Sequence, residues 1–284
     1  MIWMIITEKE MGDGAQHVFR FNEEALSREN IKLAIVDEAN RLDFVHRDDT
    51  VISRTFNRTL IERIRDTGAR NTAEKYSAYD LVRDKVALSY YLRKNGILVP
   101  GNYTIEQVVD GNAYFVKPRF GQDSFGITID CICKSRNDVI HQVKRIGNEL
   151  HQDSAIEDFI DGEEITVSCV NNGGMIRAYA VKVDCSKRGG IQTRDCKLHY
   201  DEYCSPIYDN NLEKNALAIF SLLELKHIAR MDFRKGMDGR YYLIDINLLP
   251  GLGPIDHYAK SLLLAGNISY IDAMKSIVNS ATLD

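Results

Sequence analysis

Three oxygen-bearing side chains near the C-terminal end of the chain, Asp232, Asp245 and Asn247, have the types and spacing to hold a hard divalent cation. Asp245 and Asn247 stand two apart in "YYLIDINLLPGLGP" (241–254), so in a strand their side chains share one face. Asp232 precedes them in "RMDFRKGMDGRYYLIDINLL". A turn at 236–239 would fold this stretch into a hairpin and can bring Asp232 beside Asp245. Mg²⁺ is typically held by one or two carboxylates together with substrate phosphates, and the trio suits that use. The alternative is ordinary polarity on a half-exposed edge strand. Residues 241–249 are otherwise apolar, however, and carboxylates in such a run need partners. Arg230 precedes Asp232 by two residues and shares its face, where it could offset charge on a transferring phosphoryl group. A surface salt bridge is the other reading of Arg230.

Two further stretches carry phosphate- and nucleotide-binding chemistry. Lys117 ends "YFVK" and is followed by "PRFGQDSFG". Gly121 and Gly126 let backbone N–H groups close on phosphate oxygens, with Lys117 as a point charge. This is neither a Walker A loop nor a dinucleotide fingerprint, and a hairpin turn with a chance lysine fits equally. In "AIEDFIDGEEITV" a strand bears Glu157, Asp158 and Phe159, turns at Gly162 and places Glu164 on the return. Its free backbone groups could read an adenine edge and its carboxylate ribose hydroxyls. A plain acidic hairpin fits too.

The elements that must position these residues follow from hydrophobic period. Residues 2–7, 31–39 and 49–54 read as strands, and 58–69 as a helix stopped by Gly68. This alternation implies a small open α/β domain over residues 1–75. A helix capped by Ser77 runs to Gly96, and "ILVP" (97–100) starts an edge strand. Residues 136–152 form an amphipathic helix, 175–185 a strand and 210–227 a helix. The polar stretch 186–206 has no clear period and reads as a long loop, and the tail from 258 is helical. Strands after residue 110 succeed one another without crossovers, which implies an antiparallel α+β part.

Bulk composition excludes several classes. A net charge of −5 leaves no basic excess to neutralise nucleic-acid phosphates or dock on a membrane surface. No apolar run approaches the ~20 residues of a membrane span, and the N-terminus lacks a signal-peptide pattern. The six cysteines form no C-x-x-C pair, with Cys131 and Cys133 expected on one face of a strand. They read as buried free thiols in a reducing compartment, hence a cytoplasmic protein.

Taken in order, "VRDKVALSYYLRKNGILVP", "YFVKPRFGQDSFGI", "IEDFIDGEEITV" and "RMDFRKGMDGRYYLIDINLLPGLGP" resemble the ATP-grasp superfamily, most closely the D-alanine–D-alanine ligases. The likeness covers roughly residues 75–260. The N-terminal part, through "DTVISR" and "DTGARNTAEKYSAYDLVRDK", is more similar to the ribosomal-protein glutamate ligases. The resemblance implies an ATP-grasp fold of mixed α/β and α+β class, with two α+β subdomains (76–160 and 161–284) gripping ATP. It implies that Lys85, Lys117 and the glycine-loop Ser124 contact ATP phosphates, that Glu157, Asp158 and Phe159 line the adenine, and that Glu164 takes the ribose. It further implies that Asp232, Asp245 and Asn247 hold Mg²⁺, or Mn²⁺ in its place. Arg230 would steady an acyl phosphate, Gly251 would offer an N–H to the tetrahedral oxyanion, and Lys197 would fold over the γ-phosphate.

The sequence departs from this pattern in three places. Asp245 stands where these ligases commonly carry Glu, and Asp123 where Ser is usual. The N-terminal segment that grips the first D-alanine is not recognisable. The expected activity is an ATP-dependent carboxylate–amine ligase acting through an acyl phosphate on amino acids or small peptides, with a homodimer expected from relatives. A cyclo-ligase, a phosphotransferase, a non-catalytic ATP-binding regulator and a ligase that modifies a protein tail are the rivals. Specificity is expected from residues 8–60 including Arg54, from the 186–204 loop, and from Asp256 and His257; the isolated His227 and His257 are expected to be structural.

Overall fold

A computed structural model describes residues 1–11, 27–37, 42–121, 124–184, 186, 190–193 and 203–283 of the chain. Three of its N-terminal strands are those expected, and a short fourth at Arg70–Asn71 is an addition. β1 (Ile2–Thr7), β2 (Ile31–Val36), β3 (Thr50–Ser53) and β4 (Arg70–Asn71) form a parallel sheet in the order β2-β1-β3-β4. Parallel neighbours need a crossover, and α1 (Arg58–Asp66) supplies the one from β3 to β4. Asn57 caps it by accepting from the Leu60 N–H, and it buries Leu60, Ile61 and Ile64.

The single helix expected after residue 76 is two helices, α2 (Tyr76–Arg83) and α3 (Lys85–Lys94). Ser77 lies inside α2, which starts after Lys75 with no side-chain cap. The break at Asp84 has a tertiary cause. Arg119 donates to both Asp84 carboxylate oxygens at 2.9 and 2.7 Å, and Asp84 caps α3 by accepting from the Val86 and Ala87 N–H groups. The Arg119 hydrogen bonds hold the Asp84 carboxyl below its ordinary range. Residues 97–100 form no strand; the Leu98 carbonyl takes the Leu243 N–H instead, and β5 begins at Asn102–Tyr103.

Two antiparallel sheets complete the chain. The smaller has the order β5-β8-β6-β7, with β6 (Tyr114–Pro118), β7 (Ile132–Cys133) and β8 (Ser154–Asp158). Against it α4 (Arg136–Leu150) packs Val139 and Ile146 on Tyr114, Val116 and Ile156. The larger contains β9 (Gly162–Asn172), β10 (Met175–Asp184), β11 (Tyr203–Ile207), β12 (Ile228–Gly236) and β13 (Tyr241–Asn247), in the order β11-β10-β9-β12-β13. Ile165, Val167, Met231, Phe233 and Leu243 share one core with residues of α2, α3 and α5 (Asn210–Leu222). Val170 and Ile228 join a second core with α6 (His257–Gly266), α7 (Tyr270–Ser280) and β1. The alternation along β9 thus fills two cores from one strand.

The tail is helical as expected, but split by left-handed Asn267 after α6. The end of the polar stretch is not loop: β11 pairs with β10, its Pro206 opposite Val181 on the sheet edge. Proline costs nothing where its N–H would face solvent, so its presence hid the strand. Lys197, Asp123, Cys185 and Cys196 lie outside the described residues. No helix among the described residues is long and apolar enough to cross a membrane.

Cys131, Cys133 and Cys169 are buried free thiols, although Cys131 ends a 3₁₀ turn rather than sitting in a strand. Burial pushes the Cys133 and Cys169 thiols up to about 12. Both are therefore expected to resist iodoacetamide at pH 8 in the native protein and to react once urea unfolds it, with peptide mass spectrometry as the readout.

Candidate active site

The β12–β13 hairpin is the floor of the site. Its register sets Asp232 opposite Asp245 and Arg230 opposite Asn247, so all four side chains rise from one face. The partners on the other face, Met231 and Ile246, are buried in the core. The pairing slips between Asp232 and Phe233, which faces Leu243, leaving Ile244 as an extra residue on β13. Such a bulge frees a backbone group, and here the Ile244 carbonyl accepts from Lys117 Nζ at 3.0 Å.

A cleft of about 840 Å³ opens between the smaller and larger antiparallel sheets. Lys85, Lys117, Ser124, Glu157, Asp158, Phe159, Glu164, Asp232 and Asp245 all line it. The structure therefore brings together side chains from seven segments spread over 160 residues of sequence. Its cations are already matched to anions. Lys117 Nζ lies 2.7 Å from Glu157, with both side chains buried, and Lys85 Nζ lies 3.4 Å from Asp245 and donates to the Gly121 carbonyl at 2.7 Å. Buried charges need such partners. Arg230 donates to both oxygens of Asp232 at 3.2 and 2.9 Å, and the Thr166 hydroxyl donates to Asp232 at 2.8 Å. The Ser124 hydroxyl donates to the Gln192 carbonyl, joining the glycine loop to the segment after β10.

One end of the cleft is lined by apolar side chains. Phe115 stacks on Phe159 with ring centroids 6.4 Å apart, beside Phe125, Ile127 and Ile160. The Asp158 carboxylate turns away to the Gly101 N–H and the Tyr103 hydroxyl, whose pKa that hydrogen bond raises to about 12.

Three expected residues lie apart from the cleft lining. Asn247 sits two cross-strand pairs beyond Asp245, and its amide oxygen accepts from the Leu249 N–H. Arg230 is buried beside Asp232 on the same strand face. Gly251 lies after β13 in the Pro/Gly loop, where a Cβ would come within 2.6 Å of the Asp256 carboxylate, so a larger residue would push that side chain aside. Asp256 also accepts from the Gly253 N–H. His227 is structural as expected: it is buried, with Nδ1 against the Ser280 carbonyl at 3.0 Å.

Among the described residues no three His, Cys, Asp or Glu side chains cluster as a metal site on their own. The two facing carboxylates nevertheless fit a hard cation that takes its remaining ligands from an amide oxygen and phosphates.

Arg54, at the end of β3, reaches the loop after β13. It donates to the Leu249 and Pro250 carbonyls at 3.2 and 2.6 Å, and burial lowers its pKa to about 10, so it stays charged at neutral pH. It holds the two residues before Gly251. Arg54→Met is expected to lower the turnover rate about 100-fold, the scale of a small misplacement of reacting groups, while ATP affinity is retained. Steady-state kinetics beside a nucleotide titration checks this.

Sequence reasoning did not find Thr166, Ile160 or Arg234, which lines the cleft. Arg234 could have been read from period 2, since Arg230, Asp232 and Arg234 alternate along one strand.

A family model described as D-ala D-ala ligase C-terminus matches residues 92–279. An uncharacterized protein of Sinorhizobium fredii is 24% identical over 229 residues, covering 75% of this chain and 67% of that one. A D-alanine–D-alanine ligase of Fervidobacterium nodosum is 25% identical over 230 residues, covering 74% and 66%. The chain thus aligns with about two thirds of the length of these relatives. The crystal structure of D-alanine–D-alanine ligase from Bacillus anthracis complexed with ATP superposes with a TM-score of 0.73 at 18% identity, covering 98% of this chain and 96% of that one. D-alanyl-alanine synthetase A from Vibrio cholerae gives 0.72 at 12% identity, over 100% and 99%. At these identities the structural likeness is one of fold.

Proposed function

The chain belongs to the D-ala D-ala ligase C-terminus family of ATP-grasp, ADP-forming carbon–nitrogen ligases, and we propose that it joins a carboxylate and an amine drawn from amino acids or small peptides. The observation that carries this reading is the convergence of Lys85, Lys117, Glu164, Asp232 and Asp245 on one cleft between two antiparallel sheets. In this reading residues 76–160 and 161–284 close on the nucleotide, and residues 1–75 meet the substrates beside the Pro/Gly loop.

The adenine lies against Phe115, Phe159 and Ile160, and Glu164 accepts from the ribose hydroxyls. Lys85 and Lys117 give up part of their contact with Asp245 and Glu157 to the triphosphate oxygens. A divalent cation bound by Asp232, Asp245 and Asn247 would neutralise charge on the β- and γ-phosphoryl oxygens. The substrate carboxylate oxygen attacks the γ-phosphorus, ADP leaves, and an acyl phosphate results. The amine nitrogen then attacks the acyl carbon, a proton departs, and inorganic phosphate leaves with the former carboxylate oxygen. Arg230 steadies the acyl phosphate, and the Gly251 N–H, next to the Pro250 carbonyl that Arg54 holds, meets the tetrahedral oxyanion. Lys197 is proposed to cover the γ-phosphate.

The buried free thiols support a reducing, cytoplasmic setting. A pairwise screen of carboxylates and amines, read by ADP release and mass spectrometry, tests the activity. The expected product has the summed mass of two substrates less one water, with one ADP and one phosphate per bond. A product equal to a single substrate less one water would replace this reading with a cyclo-ligase. A phosphorylated product without phosphate release would replace it with a phosphotransferase.

A further inference from the structure

We propose that Arg234 is the positioning residue for ribose recognition: it holds the Glu164 carboxylate where it can accept from the nucleotide's hydroxyls. This rests on the nucleotide reading of the cleft given above. Arg234 and Glu164 face each other across paired strands, β12 and β9, in direct register. The guanidinium Nη1 lies 3.3 Å from the Glu164 carboxylate, and both side chains are buried. Both also line the cleft.

The same guanidinium joins the segments that form this end of the site. Nη2 donates to the Gly162 carbonyl at 2.7 Å and Nη1 to the Gly190 carbonyl at 3.2 Å. Its plane carries the Phe159 ring at 5.2 Å, the ring that also stacks on Phe115. One side chain thus fixes the aromatic wall, the turn into β9 and the carboxylate between them. A lysine has one charged nitrogen and cannot span these partners at once. Nε of Arg234 is buried and has no hydrogen-bond partner among the described residues, which leaves one further donor in the wall of the cleft.

The charge matters as much as the geometry. A triphosphate brings several negative charges into the cleft that contains Glu164. An ion-paired carboxylate still has oxygen lone pairs for two ribose hydroxyls, while its net charge is offset. Without Arg234, Glu164 would lose the charged partner that faces it across the paired strands.

The test needs no knowledge of the ligase substrates. Affinities of ATP, 2′-deoxyATP and 3′-deoxyATP are measured by calorimetry for wild type, R234M, R234K and E164Q. The wild type is expected to prefer ATP over the weaker deoxy analogue by about tenfold, the size of one hydrogen bond to a charged group. In R234M that ratio falls to within about twofold of unity, and R234K recovers only part of it. E164Q behaves as R234M does, and R234M/E164Q shows no further loss of ratio. A merely structural role would weaken all three nucleotides together and leave the ratio in place. A discriminating wild type with equally discriminating R234M or R234K overturns the assignment of Arg234 alone. A wild type that binds ATP but ignores both hydroxyls removes the ribose role of Glu164 and this proposal with it. A wild type that binds no nucleotide overturns the reading of the cleft itself. Should R234M fail to fold, the R234K ratio decides.

Discussion

Asp245→Ala is expected to abolish Mg²⁺-dependent ADP formation while leaving the fold intact. The two halves of that result have separate causes. Asp245 is about a quarter exposed, and its charged neighbour Lys85 stands 3.4 Å away, too far for a strong hydrogen bond. Lys85 keeps the Gly121 carbonyl when Asp245 is removed. The stability cost is therefore that of a partly solvated pair, about 1 kcal/mol or less. Activity has no such cushion. The hairpin register offers two facing carboxylates, Asp232 and Asp245, and deletion would halve the anionic ligands proposed for the cation. Metal charge stabilisation is worth several kcal/mol in the transition state, so turnover should fall at least about 1,000-fold. A coupled ADP assay over a Mg²⁺ titration, beside a thermal melt, measures both. Undiminished turnover would refute the metal assignment. A large melting shift would show that Asp245 belongs to the scaffold.

Arg230→Met should have the opposite balance and damage the fold as well as the chemistry. Both members of the Arg230–Asp232 pair are more than nine-tenths buried, and the guanidinium meets the carboxylate through two hydrogen bonds. Removing one partner of a buried pair leaves the other charge in low dielectric, typically at a cost of about 3–5 kcal/mol. For a chain of this size that corresponds to a melting temperature lower by about 10 °C. Adding Asp232→Asn to the variant removes the buried carboxylate charge and should return most of the stability, because the Thr166 hydroxyl can still donate to the amide oxygen. The double variant should remain inactive, since it lacks both the cation proposed to steady the acyl phosphate and a carboxylate proposed to bind the metal. Denaturant melts of the four-member cycle measure the coupling. A single variant as stable as the wild type would mean that Asp232 draws its compensation elsewhere.

The hairpin could be read in advance because its information is local. Asp245 and Asn247 share a face by strand period alone, and the turn at 236–239 makes Asp232 their cross-strand neighbour. The parallel N-terminal sheet and the antiparallel order of the later strands were likewise visible in the spacing of apolar runs and helices. Where the reading failed, a distant residue had overridden a local preference. Asp84 sits in a sequence with good helical spacing, yet Arg119, 35 residues away, draws its carboxylate and breaks the helix. β11 lies at an edge with proline in it, and only its pairing with β10 makes it a strand. Arg234 had the right period but no visible reason, since its partner Glu164 lies 70 residues earlier.

The chain's own pattern of residues determined which side chains could do chemistry and which strands would carry them, because alternation and turns act within a few residues. The folded molecule alone decided how those side chains meet. Arg54 reaches Pro250 across 196 residues, the Lys117 ammonium finds the Ile244 carbonyl across 127, and the bulge that frees that carbonyl has no mark in the sequence of β13. These contacts arise where the sheets bury their faces together, and burial forces each charge and each freed backbone group to find a partner wherever the packed surfaces place one.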